Sequence, residues 1–293
     1  MLGNNIKVHF AGAEQIDFSF CVHEAGVQYF LFSCFPFISK QFNIHAYPIT
    51  CKKFFPPAEL QKISRHTIMD SGLFTLMFGS HAGKKDAAFI YKWEEALAQF
   101  VNENNIQATC VEVDCQKVLG VEEAWKLRKR LREHLPNNRI INVFHYEDGE
   151  KGFDRLIEFS DYIAISVPEM RILKPKTYKK DVINLARRAK RRKPDIDIHL
   201  LGCTELGMLK EGRFCTSADS TAWQSVNRYG HIMGRRTRNI KPETYEEIYP
   251  IIRNVLSKCE IEENEKRMKY YSNYYLSAKI HRQEYAKYAG SQD

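Results

Sequence analysis

No stretch of this 293-residue chain approaches the ~18 consecutive apolar residues that a membrane-crossing helix needs. The first residues, which include Asn4, Asn5 and Lys7, lack the charged, apolar and small-residue order of a secretory signal, so a cytoplasmic location is expected and no membrane partner. Eight cysteines are present, but none forms a Cys-x2-Cys pair and their spacing outlines no disulfide framework. They read as reduced thiols, with Cys110 and Cys115 as packing residues. A phosphate-binding loop and a dinucleotide fingerprint are both missing, which leaves no cofactor to expect. Internal repeats and low-complexity segments are missing too.

What is present is an apolar share of 44%, ample for a core, and a net charge of +8 that points to a polyanionic partner. The positive charge is bunched. Arg187, Arg188, Lys190, Arg191, Arg192 and Lys193 crowd one expected helix end, where they grip phosphate or simply complement the helix dipole. Arg228, Arg235, Arg236, Arg238 and Lys241 form a second group.

Strand-like and helix-like segments alternate as far as about residue 230. Residues 7–10, 29–35, 66–70, 108–114, 139–145, 162–166, 197–202 and 214–219 read as eight strands. Helical patterns fall over residues 87–102, 121–134 and 182–193, while residues 41–64, with Pro48, Pro56 and Pro57, read as loop. Such alternation implies parallel strands with right-handed crossovers, and eight units imply a closed (β/α)8 barrel. We place that barrel at residues 1–240 and C-terminal helices at residues 241–293, packing on the barrel or extending from it. Residues 244–259 have an amphipathic helical pattern. Residues 261–289 are charged and rich in tyrosine, suited to stacking on bases or to packing on the barrel or another subunit.

In a parallel barrel the C-terminal strand ends share one catalytic face. Asp70, in Met69-Asp70-Ser71-Gly72-Leu73-Phe74, and Asp219, in Ala218-Asp219-Ser220-Thr221-Ala222-Trp223, each close an apolar run. Two carboxylates there can divide the cleavage of a glycosidic bond between nucleophile and proton carrier; the alternative is that both are helix N-caps.

The chain resembles the tRNA-guanine transglycosylases. Asp70-Ser71-Gly72-Leu73-Phe74 is similar to their Asp-Ser-Gly-Gly-Phe-Gln motif, and Val111-Glu112-Val113-Asp114-Cys115 to their next strand. Ile163-Ala164-Ile165-Ser166-Val167-Pro168-Glu169 resembles their Gly-Leu-Ala-Val-Gly-Glu segment, and Leu200-Leu201-Gly202-Cys203-Thr204-Glu205 their Gly-Val-Gly-Thr-Pro-Glu strand end. Asp219 matches the family nucleophile. The departures are specific as well. The zinc-binding Cys-x-Cys-x2-Cys…His pattern is reduced to Cys259 and His281, Gln-Gly-Gly is replaced by Val143-Phe144-His145-Tyr146, and Pro-Thr-Arg after the nucleophile is missing. This version looks most like the bacteriophage branch, the DNA 7-deazaguanine transglycosylases, for which the compartment is the host cytoplasm.

The resemblance implies a pentosyltransferase that exchanges guanine in DNA for a free 7-deazaguanine base, through a covalent Asp–deoxyribose intermediate and without metal. Asp219 attacks C1′, and Asp70 protonates the leaving guanine and later deprotonates the incoming base. Asp114 reads the guanine edge; His145, Ser166 through its backbone, and Glu169 complete the pocket, beside Ser71 and with Phe74 stacking on the base. Arg228, Arg235, Arg236 and Arg238 hold phosphates beside the target. A homodimer is compatible with these residues. The alternatives are a tRNA substrate, against which the altered zinc and nucleophile regions speak, and a non-catalytic nucleic-acid-binding paralogue, which would have no need of both Asp70 and Asp219.

Overall fold

The structure is a computed structural model and describes residues 6–44, 56–73, 76 and 86–289. Eight strands close a parallel barrel: β1 (Lys7–Ala11), β2 (Tyr29–Ser33), β3 (His66–Asp70), β4 (Thr109–Val111), β5 (Ile140–Phe144), β6 (Tyr162–Ser166), β7 (Asp197–Leu201) and β8 (Ser217–Ser220). Each strand pairs with its sequence neighbour, and β8 returns to β1 in the register Asp219↔His9. The chain is therefore a TIM barrel with helices between the strands and C-terminal helices against it.

Strand alternation sorts the side chains into two layers. Leu31, Ile68, Val111, Ile141, Val143, Tyr162, Ala164 and Leu201 pack as one cluster in the lumen. The intervening residues of each strand, such as Phe30, Met69, Cys110 and Ile163, join the larger cluster beneath the helices. Helix Ala87–Glu103 shows how the outer layer is fixed. The Asp86 carboxylate caps it by accepting the Phe89 N–H at 2.8 Å, and Ile90, Trp93, Leu97 and Val101 recur on its buried face. Burial of each such large side chain stabilises the fold by about 1.5–3 kcal/mol.

All eight strands expected from the sequence are present; β2, β4, β5 and β7 are shorter than expected, and β1 and β8 end one residue later. Residues 214–216 stand before β8 rather than in it. Helix Val121–His134 has the expected bounds, whereas the basic helix begins earlier, at Tyr178–Arg192. Residues 41–64, expected as loop, include helix Pro57–Lys62. Its first residue is a proline, which costs nothing at a position whose N–H has no partner within the helix.

The tyrosine-rich tail is helix Glu265–Ala289, and four of its tyrosines pack inward. Tyr271, Tyr274, Tyr275 and Tyr285 are buried. The Tyr271 hydroxyl donates to Asp17 at 2.6 Å, and Tyr285 donates to the Ser220 hydroxyl at 3.1 Å. This helix packs on helices Ile16–Glu24, Leu206–Glu211 and Pro242–Lys258, covering the seam where β8 meets β1. The tail therefore buttresses the strand that carries Asp219 and leaves these four rings unavailable for stacking on bases.

Candidate active site

Asp219 projects from β8 into the mouth of the barrel and is only 9% exposed. Its Oδ1 accepts the Gly202 N–H at 2.6 Å and faces His199 Nε2 at 3.1 Å. A carboxylate can only accept, so His199 Nε2 carries the proton. His199 Nδ1 lies 2.6 Å from the Ser217 hydroxyl, which in turn is hydrogen-bonded to the Tyr162 hydroxyl at 2.5 Å. One carboxylate oxygen is thus held by Gly202 and by His199, behind which a hydrogen-bonded chain runs down the lumen. Oδ2 has no hydrogen bond from the described residues.

Gly202 supplies its N–H from a left-handed conformation, φ +64°, and an added Cβ would lie 2.9 Å from Pro168 Cγ. Only glycine brings this amide to Asp219 without strain.

Asp70 ends β3, beside β2 in the register Ser33↔Asp70. Its Oδ2 accepts the Gly72 N–H at 3.2 Å. Burial pushes the Asp70 carboxyl up to about 6, helped by the carboxylates of Asp219 and Asp114 and opposed by the Gly72 amide. The Gly72 turn is also glycine-dependent, with φ +73° and the Phe35 backbone nitrogen 2.9 Å from an added Cβ. Ser71 is buried, and its carbonyl accepts the Trp93 indole N–H at 2.8 Å. Phe74 lies outside the described residues.

Asp114 follows β4 and pairs with His145, which follows β5; Oδ1 and Nε2 are 2.6 Å apart. His145 Nδ1 faces Glu169 at 3.3 Å, an ion-pair contact without hydrogen-bond geometry. Burial alone would lower the His145 pKa, but Asp114 and Glu169 outweigh it and raise it to about 10. His145 is therefore an imidazolium clamped between two carboxylates. In this arrangement Nε2 is engaged by Asp114, while Nδ1 keeps an N–H without a hydrogen-bond partner beside Glu169. Ser166 caps the short helix Val167–Leu173, its hydroxyl accepting the Glu169 N–H at 3.3 Å, and Lys117 reaches Glu169 at 3.0 Å. Burial would raise the Glu169 carboxyl; His145 and Lys117 overcome that and hold it below its ordinary range.

Three features of the site were not anticipated from sequence. Glu14 follows β1, accepts the Ser33 N–H at 3.3 Å, and is pushed up by burial and by Asp70. It follows Ala11-Gly12-Ala13, where no apolar run announces a site; scanning every strand end for acids would have found it. The histidines of the lumen form the second feature. His9 Nε2 meets His66 Nδ1 at 2.8 Å, and His66 Nε2 meets Thr109 at 2.9 Å. Burial lowers the pKa of both rings, which keeps them neutral.

The third is the Glu112–Arg128 pair. Arg128 donates from Nε to both Glu112 oxygens, at 3.0 and 2.9 Å, and from its Nη2 to the Val143 carbonyl at 2.8 Å. Glu112 also accepts the Val143 N–H at 2.9 Å. This pair ties the ends of β4 and β5 together and so sets Asp114 against His145.

The two basic clusters separate clearly. Arg188 pairs with Glu150 and Asp154, Arg192 with Asp154 and Glu158, and Lys193 with Asp161. Much of that helix end is neutralised by its neighbour. Arg228, Arg235, Arg236 and Arg238 are exposed and have no ion-pair partner among the described residues. Arg235–Arg236 pairs antiparallel with His231–Ile232 in a hairpin on the loop after β8, turned by Met233 and Gly234, both at positive φ.

No group of three or more His, Cys, Asp or Glu among the described residues is arranged to hold a metal ion. No described helix is long and apolar enough to cross a membrane. No family model matches the chain, and no curated protein matches it. Among solved structures it is similar to the fructose-bisphosphate aldolase of Campylobacter jejuni, at 12% identity and a TM-score of 0.45, covering 87% of this chain and 86% of that chain. A likeness at this level carries no argument about chemistry.

Proposed function

We propose that the protein is a base-exchange transglycosylase that replaces guanine in DNA with a 7-deazaguanine base. The observation that carries this reading is the division of labour between Asp219 and Asp70. Asp219 has one oxygen fixed and the other open, which suits in-line attack on an anomeric carbon. Asp70, at about 6, can hold a proton for the departing guanine and release it when the incoming base must lose one. Asp219 Oδ2 bonds to C1′ as the C1′–N9 bond breaks, and the proton on Asp70 passes to the leaving base. In the second half the incoming base gives its proton back to Asp70, its nitrogen bonds to C1′, and the Asp219 ester breaks. Two displacements retain the anomeric configuration.

Asp114 offers a fixed acceptor to the N–H and amine edge of guanine, with His145 and Glu169 holding it from behind. The four arginines without carboxylate partners support a polyanionic substrate. The resemblance to the bacteriophage branch supports DNA over tRNA. The reading is tested by incubating the protein with isotope-labelled 7-deazaguanine and either DNA or tRNA: label is expected in DNA nucleosides, and incorporation into tRNA alone would overturn the choice of substrate.

The proton role gives a pH dependence. Asp70 must be protonated for the first displacement, so formation of the glycosyl-enzyme should slow as pH rises through about 6. Single-turnover measurement between about pH 5 and 8 should show this inflection in the wild type, and none in Asp70→Asn. An inflection that survives Asp70→Asn would assign the proton to another group.

The arginines give a salt dependence. Arg228→Ala with Arg236→Ala should weaken DNA binding across sequences and reduce the slope of log K against log salt by about one unit per lost phosphate contact. Base choice should be unaltered. Unchanged affinity and slope over a salt series would remove this cluster from the interface.

A further inference from the structure

Ile172 is 77% exposed and Leu173 is 47% exposed; among the described residues no large apolar side chain is more exposed than Ile172. The two end helix Val167–Leu173, and Ile172 stands one helical turn after Glu169, whose carboxylate faces the His145 that pairs with Asp114. Charge surrounds the pair. Between Glu169 and Asp181 the chain carries Arg171, Lys174, Lys176, Lys179 and Lys180 and no carboxylate; of these Lys179 pairs with Glu205. An exposed apolar tip flanked in sequence by cations fits a partner that offers a negatively charged backbone and an apolar interior, which describes duplex DNA opened at one base step.

We propose that Ile172 and Leu173 are a wedge that enters the base stack beside the target guanine and fills the gap its extrusion leaves. The inference rests on the DNA transglycosylase reading and adds to it a means of reaching a base inside a duplex. Acting on a paired guanine requires unstacking, which single-stranded DNA does not. The wedge therefore matters for duplex substrate and not for single-stranded substrate of the same sequence.

The test uses the full-length protein and Ile172→Ser/Leu173→Ser, two changes at exposed positions whose folding is checked by thermal melting. The probes are a duplex oligonucleotide with 2-aminopurine beside the target guanine, and the corresponding single strand. Wild type should brighten the duplex probe and the variant should not. The ratio of duplex to single-strand exchange should fall at least about ten-fold in the variant. A variant that keeps the wild-type ratio and fluorescence overturns the wedge and leaves the transglycosylase reading intact. An equal fall on both substrates also overturns it, because the pair then serves the pocket. A loss of dimer on sedimentation with the ratio preserved assigns the pair to a subunit interface and overturns it as well. Wild type that exchanges on neither substrate removes the transglycosylase reading, and the wedge with it.

Discussion

Asp219→Ala is expected to abolish base exchange, by on the order of 10^4-fold or more, the scale on which loss of an enzymatic nucleophile acts. The size of the effect follows from the geometry. Gly202 and His199 fix one oxygen of Asp219, and Asp70 and Glu14, acids that follow other strands of the barrel, have carboxyl groups that burial pushes toward the protonated form. Neither can replace it as a nucleophile without losing its proton against that burial. Folding should survive, since the substitution removes a group from the mouth of the barrel and leaves the seam with β1 and the Tyr285–Ser220 bond in place. DNA binding should persist too, because the phosphate grip assigned to Arg228, Arg235, Arg236 and Arg238 lies on the loop beyond β8. Quantitative exchange assays with equal amounts of wild type and mutant read the result. Undiminished exchange by Asp219→Ala would end the nucleophile assignment.

Arg128→Ala has the largest expected effect on stability, about 3–5 kcal/mol, because it leaves the Glu112 carboxylate buried without its cation. The side chains of Arg128 and Glu112 are 2% and 4% exposed. The Asn142 amide and the Val143 N–H would still reach Glu112 but bring no full positive charge. Urea denaturation monitored by circular dichroism measures the loss. Replacing both partners, as Glu112→Leu with Arg128→Leu, should recover much of it, since the desolvated charge is then gone. A single mutant within about 1 kcal/mol of wild type would show that the pair does not bear on the β4–β5 junction.

The barrel was legible in the sequence because its signals are local. Apolar runs at residues 66–70, 162–166 and 197–202 and the helical period of residues 121–134 state their structure without help from distant residues. Strand ends were less legible where side chains replace ladder bonds. Glu112 follows β4 and accepts the Val143 N–H in the position of a backbone partner, so β4 closes earlier than its composition suggests. Asp70, Asp114 and Asp219 could be named from strand-end position and motif. The clamp on His145 could not, because it needs Asp114 and Glu169 from the segments that follow two other strands. The His199–Ser217–Tyr162 chain beneath Asp219 was hidden for the same reason: in sequence these are scattered polar residues within apolar strands. The tyrosines of the last helix show the limit of composition. Tyr and Lys interleaved suit a base-stacking surface as well as the packing that the sequence favours, and the position of helix Glu265–Ala289 against Ile16–Glu24 and Pro242–Lys258 decides for packing of Tyr271, Tyr274, Tyr275 and Tyr285.

The central claim is that Asp219 becomes covalently bound to the sugar of the target nucleotide. Mixing the protein with guanine-containing DNA, quenching in denaturant, and mapping the modified peptide by mass spectrometry tests it most directly. The account predicts a deoxyribose-linked adduct on the peptide that carries Asp219, lost on addition of free 7-deazaguanine before the quench. An adduct on the peptide that carries Asp70, or exchange that proceeds with no adduct at all, would contradict it.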